Sequence, residues 1–216
     1  VIIDSKLRGY LVYRADSLEG FTLRAMNMLV MILRSCLIQK DLNYRLEIQA
    51  STDALTGLAN RHYFDAKYQE SLREYQHEKQ HQEHFAIIVV DINGLKDIND
   101  TFGHASGDKL ILKVAEILTG LFRQSDIVAR VGGDEFYILL SNVNSSMCQT
   151  WLDSIQQDKN QHSVIFNAKR TIISFSCGFA CTDSTLPEDL ITVADARMYQ
   201  AKSQYKKQKE SLSGEE

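Results

Sequence analysis

A chain of 216 residues with 44% apolar content is long enough for one compact domain plus an appendage. Its net charge of −4 argues against a nucleic-acid polymer as partner, which would favour a basic surface, so any phosphate must be met locally. No apolar run approaches the ~20 residues that cross a bilayer, and the most apolar stretch, residues 26–38, is interrupted by Arg34, so no membrane contact is expected of this fragment. The cysteines, Cys36, Cys148, Cys177 and Cys181, lack the spacing of a zinc site and read as reduced packing residues, which points to the cytoplasm. The chain opens on Val1-Ile2-Ile3 without an initiating Met and reads as an excised fragment, whose missing N-terminal segments would decide any membrane attachment of the full protein.

Residues 9–13 read as a short strand, and Asp16 or Ser17 can cap the helix that follows. Residues 1–15 are expected to be the remnant of an upstream sensor, with a GAF-like domain as one candidate. Over residues 16–50, Leu23, Met26, Val30, Leu33, Leu37 and Tyr44 repeat at spacings of three, four and seven, a coiled-coil seam with Lys40 at one seam position. A parallel homodimer through this helix is one reading; a single amphipathic helix packed on a missing domain is the other. Residues 53–60 form a turn-rich connector in which Gly57 and Asn60 break the helix, and residues 61–80 form the next helix. His77, His81 and His84 share a face of it at a spacing that transition-metal sites use, although the surrounding Glu, Lys and Gln residues mark a solvated segment.

Residues 85–90 are continuously apolar and end in Asp91, the pattern of a buried central strand closed by a carboxylate. A short helix is expected over 94–102, a break at Gly103 and Gly107, and a long helix over 108–123 with Asp108 as its cap or in its first turn. Val131-Gly132-Gly133-Asp134-Glu135-Phe136 lies between two apolar runs and reads as a hairpin whose glycines supply positive φ. The adjacent acids exceed what solubility asks of a turn and suit a divalent cation. Residues 147–157 read as a helix, 171–181 as a strand, and Pro187 as the opening of a final helix before a solvated tail at 212–216. The order β-α-β-β-α-β predicts an α/β (α+β), ferredoxin-like core with a central, mostly antiparallel sheet flanked by helices. In that topology the first and third strands are neighbours, which brings Asp91 and Asp134 to one edge of the sheet.

These motifs occur together and in one order: Asp53-Ala54-Leu55-Thr56-Gly57-Leu58-Ala59-Asn60-Arg61, then Asp91 through Asp108, then the Gly-Gly-Asp-Glu-Phe hairpin, then Ala194-Asp195 and Ala201-Lys202. Residues 51–211 closely resemble the GGDEF family of diguanylate cyclases, which share a nucleotidyl-cyclase core and condense two GTP into cyclic di-GMP and two pyrophosphates. The resemblance implies Mg²⁺ or Mn²⁺, two per active site, on Asp91, the Ile92 carbonyl, Asp134 and Glu135. It implies catalysis by Glu135 and Asp134, guanine recognition by Asn99 and Asp108, and phosphate contacts from Gly94, Leu95, Lys96, Lys202 and Lys206. Gly132 and Gly133 would let the nucleotide approach the backbone. A carboxylate at 108 accepts from the ring N–H and the exocyclic amine of guanine, a donor pair that adenine lacks.

The resemblance further implies a product-feedback site at Arg123 and Asp126, residues that a helix C-terminus and a turn would also explain. The connector at 53–60 is expected to couple helix motion to the active site. Three departures stand out: Asn93 replaces a frequent acid, Gly94-Leu95 replaces an aromatic pair, and Tyr205-Lys206 replaces the Gly-Arg that usually ends the last helix, so that helix is free to extend. Each protomer of a homodimer would supply half an active site. The alternatives are an inactive GGDEF domain acting as a GTP or cyclic di-GMP receptor, and a cyclase making a single cyclic nucleotide, which the hairpin motif does not support.

Overall fold

The computed structural model describes residues 2–3, 6–7, 20–77, 83–157, 163–166 and 169–213, and the chain divides into two units, Val1–Ala50 and Ser51–Glu216. In the first unit β1 (Ile2–Ile3) pairs antiparallel with β2 (Lys6–Leu7), and α1 (Gly20–Ser51) is one uninterrupted helix. The strand expected at 9–13, the caps at Asp16 or Ser17, and His81 lie outside the described residues. Leu33 and Leu37 of the proposed seam are exposed on α1, and so are Met28, Leu29, Met31, Ile32 and Leu42, giving an apolar surface wider than a narrow seam.

The second unit runs β3 (Ala59–Asn60), α2 (Arg61–His77), β4 (Phe85–Ile92), α3 (Leu95–Phe102), α4 (His104–Leu121), β5 (Ile127–Arg130), β6 (Glu135–Ser141), α5 (Ser145–Gln157), β7 (Ser163–Phe166), β8 (Lys169–Ile172), β9 (Phe175–Cys181) and α6 (Leu190–Ser213). One sheet has the order β3-β5-β6-β4-β9, antiparallel except for the short β3–β5 pairing. The expected ferredoxin-like core is thus present, with β6 and β4 as its inner strands and β7–β8 added as a separate hairpin.

Side chains alternate across a strand, and the two sides of β4 join two cores. Ala86, Ile88, Val90 and Ile92 pack with Phe136, Ile138 and Leu140 against Leu110, Val114 and Leu118 of α4. Ile87 and Val89 pack with Tyr137 and Leu139 against Phe64 and Tyr68 of α2 and Leu190, Ala194 and Met198 of α6. Burial on both faces explains why β4 is apolar throughout instead of alternating. Helix α6 seats on β9 at Gly178, where any β-carbon would overlap the backbone of Ala194 and Met198.

Several boundaries differ from expectation. Helix α4 starts at His104, so Gly107 lies inside it and Asp108 stands a full turn in; Asp108 does not cap the helix. The strand expected over 171–181 is broken into β8 and β9. Pro187 begins a 3-10 turn, Pro187–Asp189, that precedes α6. Helix α6 continues through Tyr205-Lys206 to Ser213, so residues 212–213 of the expected tail are helical, and 214–216 lie outside the described residues.

Candidate active site

The site forms where β4 ends beside the start of β6. Asp91 stands directly across from Glu135 in the ladder, and the Ile92 amide donates to the Asp134 carbonyl at 2.9 Å. The loop that returns the chain to Asp134 and Glu135 is closed by the Val131 amide donating to the Glu135 carbonyl at 3.0 Å. Its glycines do not act as expected. Among the described glycines positive φ occurs at Gly57, Gly94 and Gly103, not at Gly132 or Gly133. Gly132 instead gives room to Glu135, whose Oε2 would be 3.0 Å from a β-carbon at 132, and Gly133 faces open space.

Asp91 is only 3% exposed. Its Oδ2 accepts from Lys202 Nζ of α6 at 2.6 Å, while Oδ1 is buried without a hydrogen-bond partner among the described residues. Burial pushes the Asp91 carboxyl up; Lys202 opposes that, and the neighbouring Asp134 charge adds to it. Two approaching carboxylates, one with an orphaned buried oxygen, form an all-oxygen donor set suited to a hard divalent cation such as Mg²⁺ or Mn²⁺. Among the described residues no group of three acidic, histidine or cysteine side chains forms a ready cage, so carbonyls and nucleotide phosphates would complete the coordination.

Asn93 is committed elsewhere. Its Nδ2 donates to Ser174 Oγ at 3.1 Å and its Oδ1 accepts from Ser176 Oγ at 2.9 Å. Gly94, at φ 74°, turns the chain into α3, and having no side chain it leaves the first amides of the helix, from Leu95 and Lys96 onward, without a side-chain cap. Such amides with a nearby Lys suit anionic oxygens. Leu95 is buried under this turn and Lys96 is exposed. At the other end of α3, the Asn99 carboxamide lies against Gly107, one residue from Asp108, so the two residues expected to read guanine come together. Lys206 is exposed on α6, one turn beyond Lys202, and its charge reaches Asp91.

Arg130 went unread in the sequence, and Arg61 entered only as the last residue of the 53–61 motif, without a role of its own. The Arg130 guanidinium bridges Asp53, at 3.1 and 3.3 Å, and the Gly133 carbonyl, at 2.9 Å. Burial raises the Asp53 carboxyl, but bonds from Thr56 and Arg130 outweigh it and hold the group below its ordinary value. Arg61 donates from Nε to the Val131 carbonyl at 3.2 Å and covers the Tyr137 ring. The connector is thereby hydrogen-bonded to the signature loop. A basic residue one position before that loop was the available signal; its strand position gave no hint of the partner at 53.

Arg123 and Asp126 close a turn, with the Arg123 amide donating to Asp126 Oδ2 at 2.9 Å and the Asp126 amide to the Arg123 carbonyl at 3.0 Å. Asp126 borders a groove with Tyr63 and Lys67 of α2, away from Asp91. His84 is bonded to Thr182 Oγ1 at 3.1 Å, so it is engaged with the sheet.

A family profile described as "Diguanylate cyclase, GGDEF domain" matches residues 50–208. The chain belongs to the GGDEF family. It is 34% identical over 168 residues to diguanylate cyclase TpbB of Pseudomonas aeruginosa, a match covering 76% of this chain and 38% of that protein. It is 30% identical over 162 residues to diguanylate cyclase A of Treponema denticola, covering 74% of this chain and 44% of the relative. The chain therefore spans less than half the length of these curated relatives. Among solved structures, the coiled coil and GGDEF domain of DgcB from Caulobacter crescentus, in complex with c-di-GMP, matches with a TM-score of 0.72 at 25% identity, covering 86% of this chain and 95% of that one. Among the described residues no helix of this GGDEF protein is long and apolar enough to cross a membrane.

Proposed function

We propose that this chain is the catalytic part of a diguanylate cyclase that condenses two GTP into cyclic di-GMP and two pyrophosphates. The observation that carries the reading is the buried Asp91 carboxylate, with one oxygen unpartnered, set against the hairpin acids. A divalent ion held by Asp91, the Ile92 carbonyl, Asp134 and Glu135, at two Mg²⁺ or Mn²⁺ per site, would supply charge neutralisation for the phosphates and polarisation of the attacking oxygen.

The chain's own groups divide the remaining work. Asn99 and Asp108 receive the guanine edge, and the α3 amides at Leu95 and Lys96 receive the terminal phosphates beside Gly94. Lys202 and Lys206 offset triphosphate charge, and the side-chain-free Gly132 and Gly133 admit the nucleotide close to the backbone. Glu135 accepts the proton of the 3′-hydroxyl as the bond from that oxygen to the α-phosphorus of the second GTP forms and the α–β phosphoanhydride breaks. Repetition of the step closes the ring. Because each protomer holds one GTP, the reaction requires two copies face to face, and the apolar surface of α1 supports a homodimer through residues 16–50. On this reading residues 51–211 are the cyclase, residues 1–15 belong to an upstream sensor, and the protein works in the cytoplasm. The Arg123–Asp126 turn, distant from Asp91, is a candidate receptor for the product.

The test is incubation of the purified chain with GTP and Mg²⁺, with products resolved by mass, beside Glu135→Gln. Cyclic di-GMP from the wild type and none from the variant is the expected result. A dimeric sample that holds GTP and makes no product would replace the enzyme by a nucleotide receptor.

A further inference from the structure

The continuation of α6 past Tyr205-Lys206 carries a third cation over the site. Lys202, Lys206 and Lys209 recur at spacings of four and three, so they share one face of the helix. The first meets Asp91; the last reaches a different element, its Nζ pairing with Asp97 Oδ2 at 2.7 Å. Asp97 is the third residue of α3, and its Oδ2 lies 3.8 Å from where a β-carbon of Gly94 would stand, so its carboxylate folds back over the start of that helix.

That start is where the proposed function places the terminal phosphates of GTP. An acid near a helix N-terminus normally stabilises the helix, but here its charge would repel the phosphates that the α3 amides are proposed to receive. Lys209 holds the Asp97 carboxyl below its ordinary value through their hydrogen bond. The pair contributes little to stability, because the Lys209 and Asp97 side chains are 59% and 65% exposed. A role in folding therefore does not account for it, whereas charge compensation beside a phosphate site does.

We infer that Lys209 is a positioning residue for the nucleotide: by pairing with Asp97 it neutralises a carboxylate that folds over the phosphate-receiving turn. The inference rests on the proposed cyclase reading and extends it to a residue that exists at this place only because α6 runs on.

The experiment is a double-mutant cycle on the full chain, with Lys209→Met, Asp97→Asn and both together. Binding of 3′-deoxy-GTP with Mg²⁺ is measured by calorimetry, since an analogue without the 3′-hydroxyl cannot condense, and KM and kcat for GTP are measured alongside. Lys209→Met is expected to weaken analogue binding and raise KM by about 2- to 5-fold, the scale of a charge at a helix N-terminus, with kcat and the thermal midpoint unchanged. Removing Asp97 as well should restore wild-type binding. Unchanged binding in Lys209→Met overturns the inference. So does a double variant as weak as the single one, which would mean that Lys209 touches the phosphates itself. A wild type that fails to bind the analogue would instead bring down the functional reading together with this one, whereas a wild type that binds it while Lys209→Met is silent leaves the cyclase standing.

Discussion

The Asn99 carboxamide occupies the space that a β-carbon at Gly107 would need. Gly107 is the fourth residue of α4, where the first turn ends and alanine would be the better helix former by about 1 kcal/mol. Its absence of a side chain serves Asn99, not the helix. Gly107→Ala should leave the thermal midpoint within a few degrees of wild type, since only the end of a side chain must move. It should nevertheless raise KM for GTP about tenfold or more by turning Asn99 away from the guanine site, a loss on the scale of one hydrogen bond to a polar ligand group. Steady-state kinetics beside a melting curve checks both halves.

Among the described residues Lys202 is the one side chain that hydrogen-bonds Asp91, a carboxylate that is almost wholly buried. Lys202→Met strands Asp91, and leaving a buried charged group without its partner costs about 3–5 kcal/mol. The variant should lose that much stability in chelator-treated buffer and recover part of it when Mg²⁺ is added, because the cation takes over the charge. Urea unfolding with and without Mg²⁺ measures the difference; equal loss in both buffers would remove Asp91 from the set of metal ligands.

Arg130 joins Asp53 to the Gly133 carbonyl through separate nitrogens of one planar group. Lysine keeps the charge but cannot serve both partners at once. Arg130→Lys is expected to lower kcat at least tenfold, because misplacing a reacting group by about 1 Å can cost 10²-fold, while the fold persists by circular dichroism. Asp53→Asn should follow the same direction with a smaller effect, since Thr56 remains to hold the carboxamide.

Asp183 supplies a pH signature outside the site. Burial pushes its carboxyl up, but the Ser145 amide and hydroxyl, with Ser184, more than reverse this and bring it to about 2. A carboxylate with a depressed folded value contributes stability that is complete above the unfolded value of 3.8 and is lost as pH falls towards about 2. Wild type should therefore lose stability between about pH 4 and 2 more steeply than Asp183→Asn, compared by urea midpoints across that range. The variant should be the less stable of the two at pH 7.

Much of this was legible in the chain itself, for identifiable reasons. A strand as apolar as residues 85–90 admits a central position and little else, and once β4 and β6 are neighbours, Asp91 must face the hairpin acids. Asp108 shows the limit: its place before an apolar-periodic run mimics a cap, but helix α4 begins at His104 because Gly103 alone provides the break. The hairpin glycines looked like φ residues, and only the folded structure shows that Gly132 makes room for Glu135. Arg130 was invisible because its meaning lies in a partner 77 residues away. Local spacing predicts the elements a residue sits on, not the distant carboxylate that employs it.

The seat of α6 on Gly178 bears on how the molecule can move. Backbone meets backbone there, so sliding the helix along β9 would drive it into the sheet. Lys202, Lys206 and Lys209 are thereby mounted on the same stiff wall that carries Asp91, since β9 and β4 are laddered side by side. The 131–135 loop is tied to β4 by backbone as well, through the Ile92 amide on the Asp134 carbonyl, whereas α3 meets α4 at Gly107 through the Asn99 side chain, a contact that shifts at lower cost. On the proposed reading, adjustment to an entering nucleotide is expected at α3, with Lys202 and Lys206 as the fixed reference on the sheet side.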